Sequence, residues 1–236
     1  VNSQLRKEAG VYVMSSAVIF DMDGTLFQTD KILEWSLNET FQLLRDQKKW
    51  NKETPIEVYR KIMGVPLPVV WETLLPEHTL EDRTFANEEF HEQLILTIES
   101  GRGALYPNVQ ALFQNLKADH HHLFIASNGQ TEYLEAIVRH YGLQEWITET
   151  FSIQQIQSQN KSDLVKRIAE KHLIKDGFVV GDRLSDIMAA KDNQFISIGC
   201  KFDFAQEEEL ALADYVVEDL LEVHAITSLI TMRVLD

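Results

Sequence analysis

The sequence predicts an α/β protein, a doubly wound parallel sheet with an inserted α-helical cap. Two observations carry this. From Pro107 onward, short apolar runs rich in β-favouring residues alternate with stretches of helical periodicity, the rhythm of strand–helix–strand units. Between about residues 30 and 102, helical periodicity continues with no strand signal. The expected core is residues 14–29 and 103–236, and the expected cap is residues 30–102.

The first core strand is Ala17-Val18-Ile19-Phe20, which runs straight into Asp21. Residues 1–13 precede Met14, which can itself be an initiator; they read as an expression remnant or as an extra edge strand through Val11-Tyr12-Val13. In the cap, Leu33, Leu37, Phe41 and Leu44 stripe a first helix with Asp30 as its N-cap. Pro55 starts a second through Tyr59 and Met63, stopped by Gly64-Val65-Pro66. Val69, Val70, Leu74 and Leu75 mark a third, and an acidic fourth runs from about Glu81 to Glu99, ending at Ser100-Gly101.

Back in the core, Val109, Leu112, Phe113 and Leu116 stripe a helix that leads to the strand His122-Leu123-Phe124-Ile125-Ala126. The next helix carries Leu134, Ile137, Val138 and Tyr141, and Gly142 can close it. A strand near Thr150-Phe151-Ser152 and a helix around Leu164 to Lys171 follow. Phe178-Val179-Val180 and Phe195 to Ile198 are strands flanking a helix, and Asp214-Tyr215-Val216-Val217 supplies one more. Strands separated by helices imply parallel pairing with right-handed crossovers. Adjacent side chains cannot all face one metal, so His120, His121 and His122 read as a solvated turn.

Composition narrows the function classes. With 44% hydrophobic and 25% charged residues, the 236-residue chain is that of a soluble globular protein. A net charge of −15 with no compensating basic run argues against nucleic acid as a partner. It leaves room for a small phosphorylated metabolite, whose charge a metal and local cations can neutralise. The single cysteine, Cys200, cannot form an internal disulfide and is expected to pack in the interior. No run is long and apolar enough to span a membrane, and no signal peptide is apparent, so the expected location is cytoplasmic. No coiled-coil seam calls for a dimer, and the expectation is a monomer.

The chemistry begins at Asp21-Met22-Asp23-Gly24-Thr25. Ligands of open α/β sheets bind at the carboxyl ends of strands, where Asp21 and Asp23 fall. Two crowded carboxylates repel unless a cation or a proton relieves them, and Mg²⁺ suits such an oxygen site and phosphate chemistry. The pair suggests a division of labour: Asp21 attacks phosphorus to form an aspartyl-phosphate, and Asp23 protonates the leaving oxygen and later takes a proton from water. A calcium loop starting at Asp21 fails, because its sixth and twelfth positions hold Leu26 and Ile32 instead of glycine and glutamate. An ordinary acidic turn is the remaining bland alternative.

Three later stretches fit the same chemistry. Ser127-Asn128-Gly129 follows a strand and offers donors to a phosphoryl oxygen. Lys161, at a helix start, can hold an attacking carboxylate and a phosphoryl group together; Lys166 is a less well placed substitute. Gly181-Asp182 ends another strand, so Asp182 can complete a cation site, with Asp186 one turn on binding through water. Taken singly, each is also an ordinary turn, a surface lysine or a helix cap.

In this order, the four stretches resemble the motifs of the haloacid-dehalogenase-like (HAD) superfamily. The resemblance spans the chain from Ala17 onward. Its helical insertion is similar to the small cap of the phosphoglycolate-phosphatase and β-phosphoglucomutase branch. Tyr106-Pro107-Asn108-Val109, where relatives often have Tyr-Pro-Gly-Val, marks the return to the core. The chain departs from the pattern at Ser162, where proline usually follows the lysine, and at Arg183, where Thr or Ser is frequent.

The resemblance implies a Mg²⁺-dependent phosphatase acting on a small phosphate monoester. Asp23 favours phosphoryl transfer over dehalogenation, because dehalogenases and phosphonatases lack that second aspartate. Metal would be held by Asp21, the Asp23 main-chain carbonyl, Asp182 and Asp186; Ser127, Asn128 and Lys161 would hold the phosphoryl oxygens. The resemblance also implies a cap that hinges near residues 28–30 and 102–106, with the Gly64-Val65-Pro66 turn above the active site; Arg60 or Lys61 beside that turn is then a candidate specificity residue, with a solvated helix end, where the dipole favours Lys and Arg, as the alternative. A β-phosphoglucomutase-like phosphotransferase and a non-catalytic phosphate- or Mg²⁺-responsive binder stay open as alternatives.

Overall fold

A strand whose residues are buried on both faces needs cover on both sides, and that requirement organises the molecule. In the computed structural model, residues 16–62, 65 and 67–233 are described, together with two short strands, Lys7–Glu8 (β1) and Val11–Tyr12 (β2). β1 and β2 pair with each other as an antiparallel ribbon, so Val11-Tyr12 does not extend the main sheet. Val13 and Met14 lie outside the described residues, as do Gly64 and Pro66.

The main sheet has six parallel strands. They are Ala17–Phe20 (β3), His122–Ser127 (β4), Glu149–Ser152 (β5), Gly177–Gly181 (β6), Ile196–Cys200 (β7) and Tyr215–Val217 (β8), in the order β5-β4-β3-β6-β7-β8. The order reverses around β3, so the crevice at its carboxyl end is a topological switch point. Alternate residues of β3 feed two different cores. Val18 and Phe20 join Val109, Leu112, Phe113 and Leu116 of Val109–Ala118 (α5) and Leu134 and Ile137 of Thr131–His140 (α6). Ala17 and Ile19 face Leu164, Val165 and Ile168 of Lys161–His172 (α7) and Ala189 and Ala190 of Leu184–Asp192 (α8).

Helices Asp30–Asp46 (α1), Ile56–Lys61 (α2), Leu67–Leu74 (α3) and Leu80–Glu99 (α4) fill the interval between β3 and α5. Leu33, Leu37, Phe41 and Leu44 are fully buried against Ala86, Phe90 and Ile98 of α4 and its neighbours. Asp30 is the first helical residue of α1 and not its N-cap; Thr29 holds the cap position without capping through its side chain. The two connections into the helical block run side by side. Gln28 N–H donates to Ala104 O at 2.9 Å, and Tyr106 N–H donates to Leu26 O at 2.9 Å. Asn108 sits in the left-handed region at φ 68°, which explains why glycine or asparagine suits that place.

Two differences from the sequence expectation stand out. His121 is buried, its Nδ1 2.8 Å from Ser16 Oγ, so the histidine run is not wholly solvated. A carboxyl-terminal helix, Leu220–Arg233 (α10), packs Leu220 and Val223 into the core; its weak periodicity hides it in the sequence. Glu207–Leu210 (α9) adds one short turn. Cys200 is fully buried, and no helix among the described residues is long and apolar enough to cross a membrane.

The α4 amino terminus carries a reciprocal cap that can be tested. Thr79 Oγ1 accepts from Asp82 N–H at 3.2 Å, and Asp82 also pairs with Lys49 at 2.8 Å. Thr79→Ala should lower the unfolding free energy by about 1 kcal/mol, measured by urea denaturation. Lys49 first, and then Thr79, hold the Asp82 carboxyl at about 2, below its ordinary 3.8. Its contribution is therefore complete above pH 3.8 and is lost as pH falls toward about 2. The Tm gap between the protein and Asp82→Asn should close over that interval.

Candidate active site

The residues that meet at the carboxyl edge of the sheet come from the ends of β3, β4 and β6 and the start of α7. Asp21 extends the β3 ladder by one bond, its N–H donating to Val180 O at 2.8 Å, which fixes its direction. The chain then turns through Gly24 at φ 75°. A Cβ there would stand 2.5 Å from Asp182 Oδ2, so glycine is required both for the turn and for the approach of Asp182. Thr25 Oγ1 donates to Asp182 Oδ1 at 3.0 Å and orients that carboxylate. A Cβ at Gly181 would overlap the Asp186 side chain, which packs beneath the end of β6.

Lys161 holds the cluster together. Asn160 caps α7 by accepting from Ser162 N–H at 2.8 Å, which places Lys161 at the first helical position. Its Nζ lies 2.6 Å from Asp21 Oδ1 and 2.5 Å from Asp186 Oδ1, and its side chain is 3% exposed. The other Asp186 oxygen accepts from Arg183 N–H at 3.1 Å. Ser162 and Arg183, the departures from the family pattern, fill other roles. Ser162 Oγ donates to Asp192, and Arg183 pairs with Glu209 at 3.0 Å. Lys166 is exposed and stands apart.

Asp21, Asp182 and Asp186 each offer an oxygen, all within 4.8 Å of one another, and all three residues are buried. Burial raises each carboxyl above its ordinary range against the pull of Lys161; repulsion from Asp23 adds to the rise at Asp21, and repulsion within the trio adds to it at Asp182 and Asp186. Asp186 is pushed up to about 6. Burial also pulls the Lys161 ammonium downward, but Asp186 and Asp21 outweigh it and the net shift is upward. Lys161 offsets one of three negative charges, and a divalent cation would offset the other two. The hard oxygen set fits Mg²⁺.

Asp23 is held differently. Its Oδ1 accepts from Thr29 Oγ1 and from the Tyr133 hydroxyl, each at 2.5 Å. Burial raises its carboxyl, while these two donors restrain the rise. Ser127 ends β4, with its Oγ accepting from Gly129 N–H at 3.0 Å and Ser152 Oγ holding Gly129 O at 2.7 Å. Asp21, Asp23, Ser127, Asn128, Lys161 and Asp182 open onto one cavity of ≈ 90 Å³, and Asp186 supports it from behind Lys161.

Arg60 and Lys61 are placed elsewhere. They line a separate opening with Asp30, Asp203 and Gln206, and neither borders the cavity that holds Asp21. Arg60 is tied to Asp30 at 2.9 Å, Glu57 at 2.6 Å and Glu34 at 3.4 Å, which commits its guanidinium to acids of α1 and α2. The helical block instead presents Tyr59, Val65, Phe90, His91 and Leu94 to the cavity. Val65 belongs to the turn expected beside the crevice, whereas Tyr59, Phe90, His91, Leu94 and Tyr133 escaped the sequence reading because a residue on a buried helical stripe looks the same whether it faces core or cavity. Thr25 and Thr29 carried a usable signal, since both follow the paired aspartates within one turn segment.

The haloacid dehalogenase-like hydrolase family model matches residues 18–199. The chain belongs to this family. A pyrophosphatase PpaX of Listeria monocytogenes serotype 4b is 22% identical over 219 residues, covering 89% of this chain and 95% of its own length. The crystal structure of a predicted phosphoglycolate phosphatase from Haemophilus somnus 129pt superposes with a TM-score of 0.80 at 20% identity, covering 90% of this chain and 98% of that one. CbbY from Rhodobacter sphaeroides, solved with xylulose-(1,5)bisphosphate as a mutant, gives 0.75 at 20% identity, covering 89% and 96%. At these identities the structural likeness is one of fold.

Removing one of the two donors on Asp23 should raise its carboxyl further, because a hydrogen bond to the charged form favours ionisation. Tyr133→Phe is expected to move the Asp23 titration upward in carbon-detected NMR. A downward or absent shift would show that the contact does not set its ionisation.

Proposed function

We propose that this chain is a Mg²⁺-dependent phosphatase of small phosphate monoesters that works through an aspartyl-phosphate on Asp21. The observation that carries the reading is the position of the Lys161 ammonium, 2.6 Å from Asp21, with Asp23 two residues on and separately held by Thr29 and Tyr133. One carboxylate is thereby turned toward a cation that a phosphoryl group can share. The other is kept apart with a raised pKa, as a proton donor requires. Family membership and the names of the relatives lean the same way.

In this reading, an Asp21 oxygen attacks phosphorus, and the phosphorus–oxygen bond to the leaving group breaks. Asp23 gives its proton to the departing oxygen. Asp23, now a carboxylate, takes a proton from water as that water attacks the phosphoaspartate, releasing phosphate and restoring Asp21. Ser127 Oγ, Asn128 and Lys161 bind the phosphoryl oxygens and offset their charge. Mg²⁺, held by Asp21, Asp182, Asp186 and the Asp23 main-chain carbonyl, would neutralise charge on the phosphoryl group when bound. Residues 30–102 act as a cap that encloses the leaving group and excludes bulk water, over a core formed by residues 14–29 and 103–236.

Release of inorganic phosphate from a generic aryl phosphate monoester and from acetyl phosphate, with and without Mg²⁺, tests the reading. Chelation by EDTA should abolish turnover and added Mg²⁺ should restore it. Asp21→Asn is expected to abolish turnover with the fold intact by circular dichroism; near-wild-type hydrolysis, free of deamidation back to Asp, would sink the nucleophile assignment. Asp23→Asn should slow turnover by roughly 10²–10⁴-fold, with a smaller loss in the phosphorylation step for good leaving groups. Equal losses across leaving groups of very different pKa would contradict the acid role.

A further inference from the structure

The cavity over Asp21 has two unlike ends. The core end is polar and charged, with Asp21, Asp23, Asp182 and Lys161. The cap end is formed by Tyr59, Val65, Phe90, His91 and Leu94, and no lysine or arginine of the helical block borders it among the described residues. Arg183 reaches the lining, but Glu209 balances it at 3.0 Å.

We propose that the cap end of this cavity takes a compact, uncharged, hydroxylated leaving group and discriminates against a second anion, with His91 as the residue that reads the hydroxyl. This rests on the phosphatase reading given above. A second carboxylate or phosphate would be desolvated against Phe90, Leu94 and Val65, with Asp23 close by and, among the described residues, no lysine or arginine of the helical block to pair with it. Burying an unpaired charge in that setting is strongly unfavourable, whereas a hydroxyl needs only a hydrogen-bond partner.

His91 is suited to supply one. It projects from α4, is 8% exposed, and stands edge-on to the Tyr133 ring at 6.0 Å between centroids. No hydrogen bond joins its imidazole to another described residue. Burial lowers its pKa, with Glu132 opposing, so the ring is neutral and offers one donor and one acceptor. Tyr59, 7% exposed and packed on Phe90 at 5.4 Å, adds a phenol on the same wall. Arg60 at the nearby mouth is already balanced by Asp30, Glu57 and Glu34, so it does not turn the cap end into an anion site.

Two matched pairs of esters, each keeping its carbon skeleton and exchanging a hydroxymethyl for a carboxylate, test this. They are 2-hydroxyethyl phosphate with 2-phosphoglycolate, and glycerol 3-phosphate with 3-phosphoglycerate, assayed at saturating Mg²⁺ beside acetyl phosphate. kcat/KM should favour the hydroxyl member of each pair by about tenfold or more. His91→Leu should lower kcat/KM for the hydroxyl members by about tenfold and narrow the ratio, while His91→Gln, which keeps a donor and an acceptor, should recover part of the loss. If His91→Leu does not fold by circular dichroism, His91→Gln decides by retaining the preference. Turnover of acetyl phosphate with the carboxylate members equal or preferred, or with neither hydroxyl member hydrolysed, would overturn this inference alone. So would an unchanged ratio in folded His91→Leu, or a lost preference in folded His91→Gln. No phosphate release from any of the five compounds would overturn the phosphatase reading and this inference with it.

Discussion

Lys161 Nζ lies within hydrogen-bond distance of Asp21 and Asp186, and all three side chains are nearly sealed from water. Three carboxylates, with Asp182, crowd the end of the sheet against that single ammonium. Much of the surrounding structure can be read as what such a cluster needs. Asn160 fixes the helix start that delivers the lysine, and Thr25 holds Asp182. Gly24 and Gly181 leave room for carboxylates where any Cβ would collide. Burying like charges is costly, and the remaining negative charge is what makes the cluster receptive to a hard divalent cation.

Asp23 stands outside that arrangement although it is only two residues from Asp21. It turns toward Thr29, at the entry to the helical block, and toward Tyr133 of α6. Tyr133 in turn meets His91 of α4. The Asp23 carboxyl is therefore held from α6 and from the entry to the helical block. A movement of the helical block would alter the surroundings of Asp23 more directly than those of Asp21.

The division between the two parts of the molecule follows from their chemistry. The core end of the cavity gathers Ser127, Asn128 and Lys161 beside Asp21, the groups to which the proposed reaction gives the phosphoryl oxygens. The helical block contributes mostly apolar side chains and two polar tips, His91 and Tyr59. Relatives near 22% identity can share the fold and still differ in such a wall, because a few side chains on packed helices change without altering the backbone.

The doubly wound sheet, the four helices between Asp30 and Glu99, and the residues gathered at the crevice were legible in the chain. Strand-end aspartates and the glycines beside them are local features, and periodicity of 2 or 3.6 is visible in any window. Asp21, Asp23, Ser127, Lys161 and Asp182 each sit at a strand end or helix start, so the topology that brings them together follows from the rhythm of elements. What periodicity does not carry is the direction of a side chain relative to a neighbour distant in sequence. Arg60 was expected to reach the substrate from its helix end, yet Asp30 and Glu34 of α1 and Glu57 of α2 pair with it, and it lines a separate opening. Tyr133 and His91 carried no sequence signal that set them apart, yet packing of α4 on α6 sets them beside Asp23 and the cavity. The weakly periodic α10 and the burial of His121 were likewise decided by contacts more than a hundred residues apart in the chain. Sequence determined the reactive end because its groups are fixed by the backbone that carries them; only tertiary packing determined the cap wall, because side chains from separate helices form it.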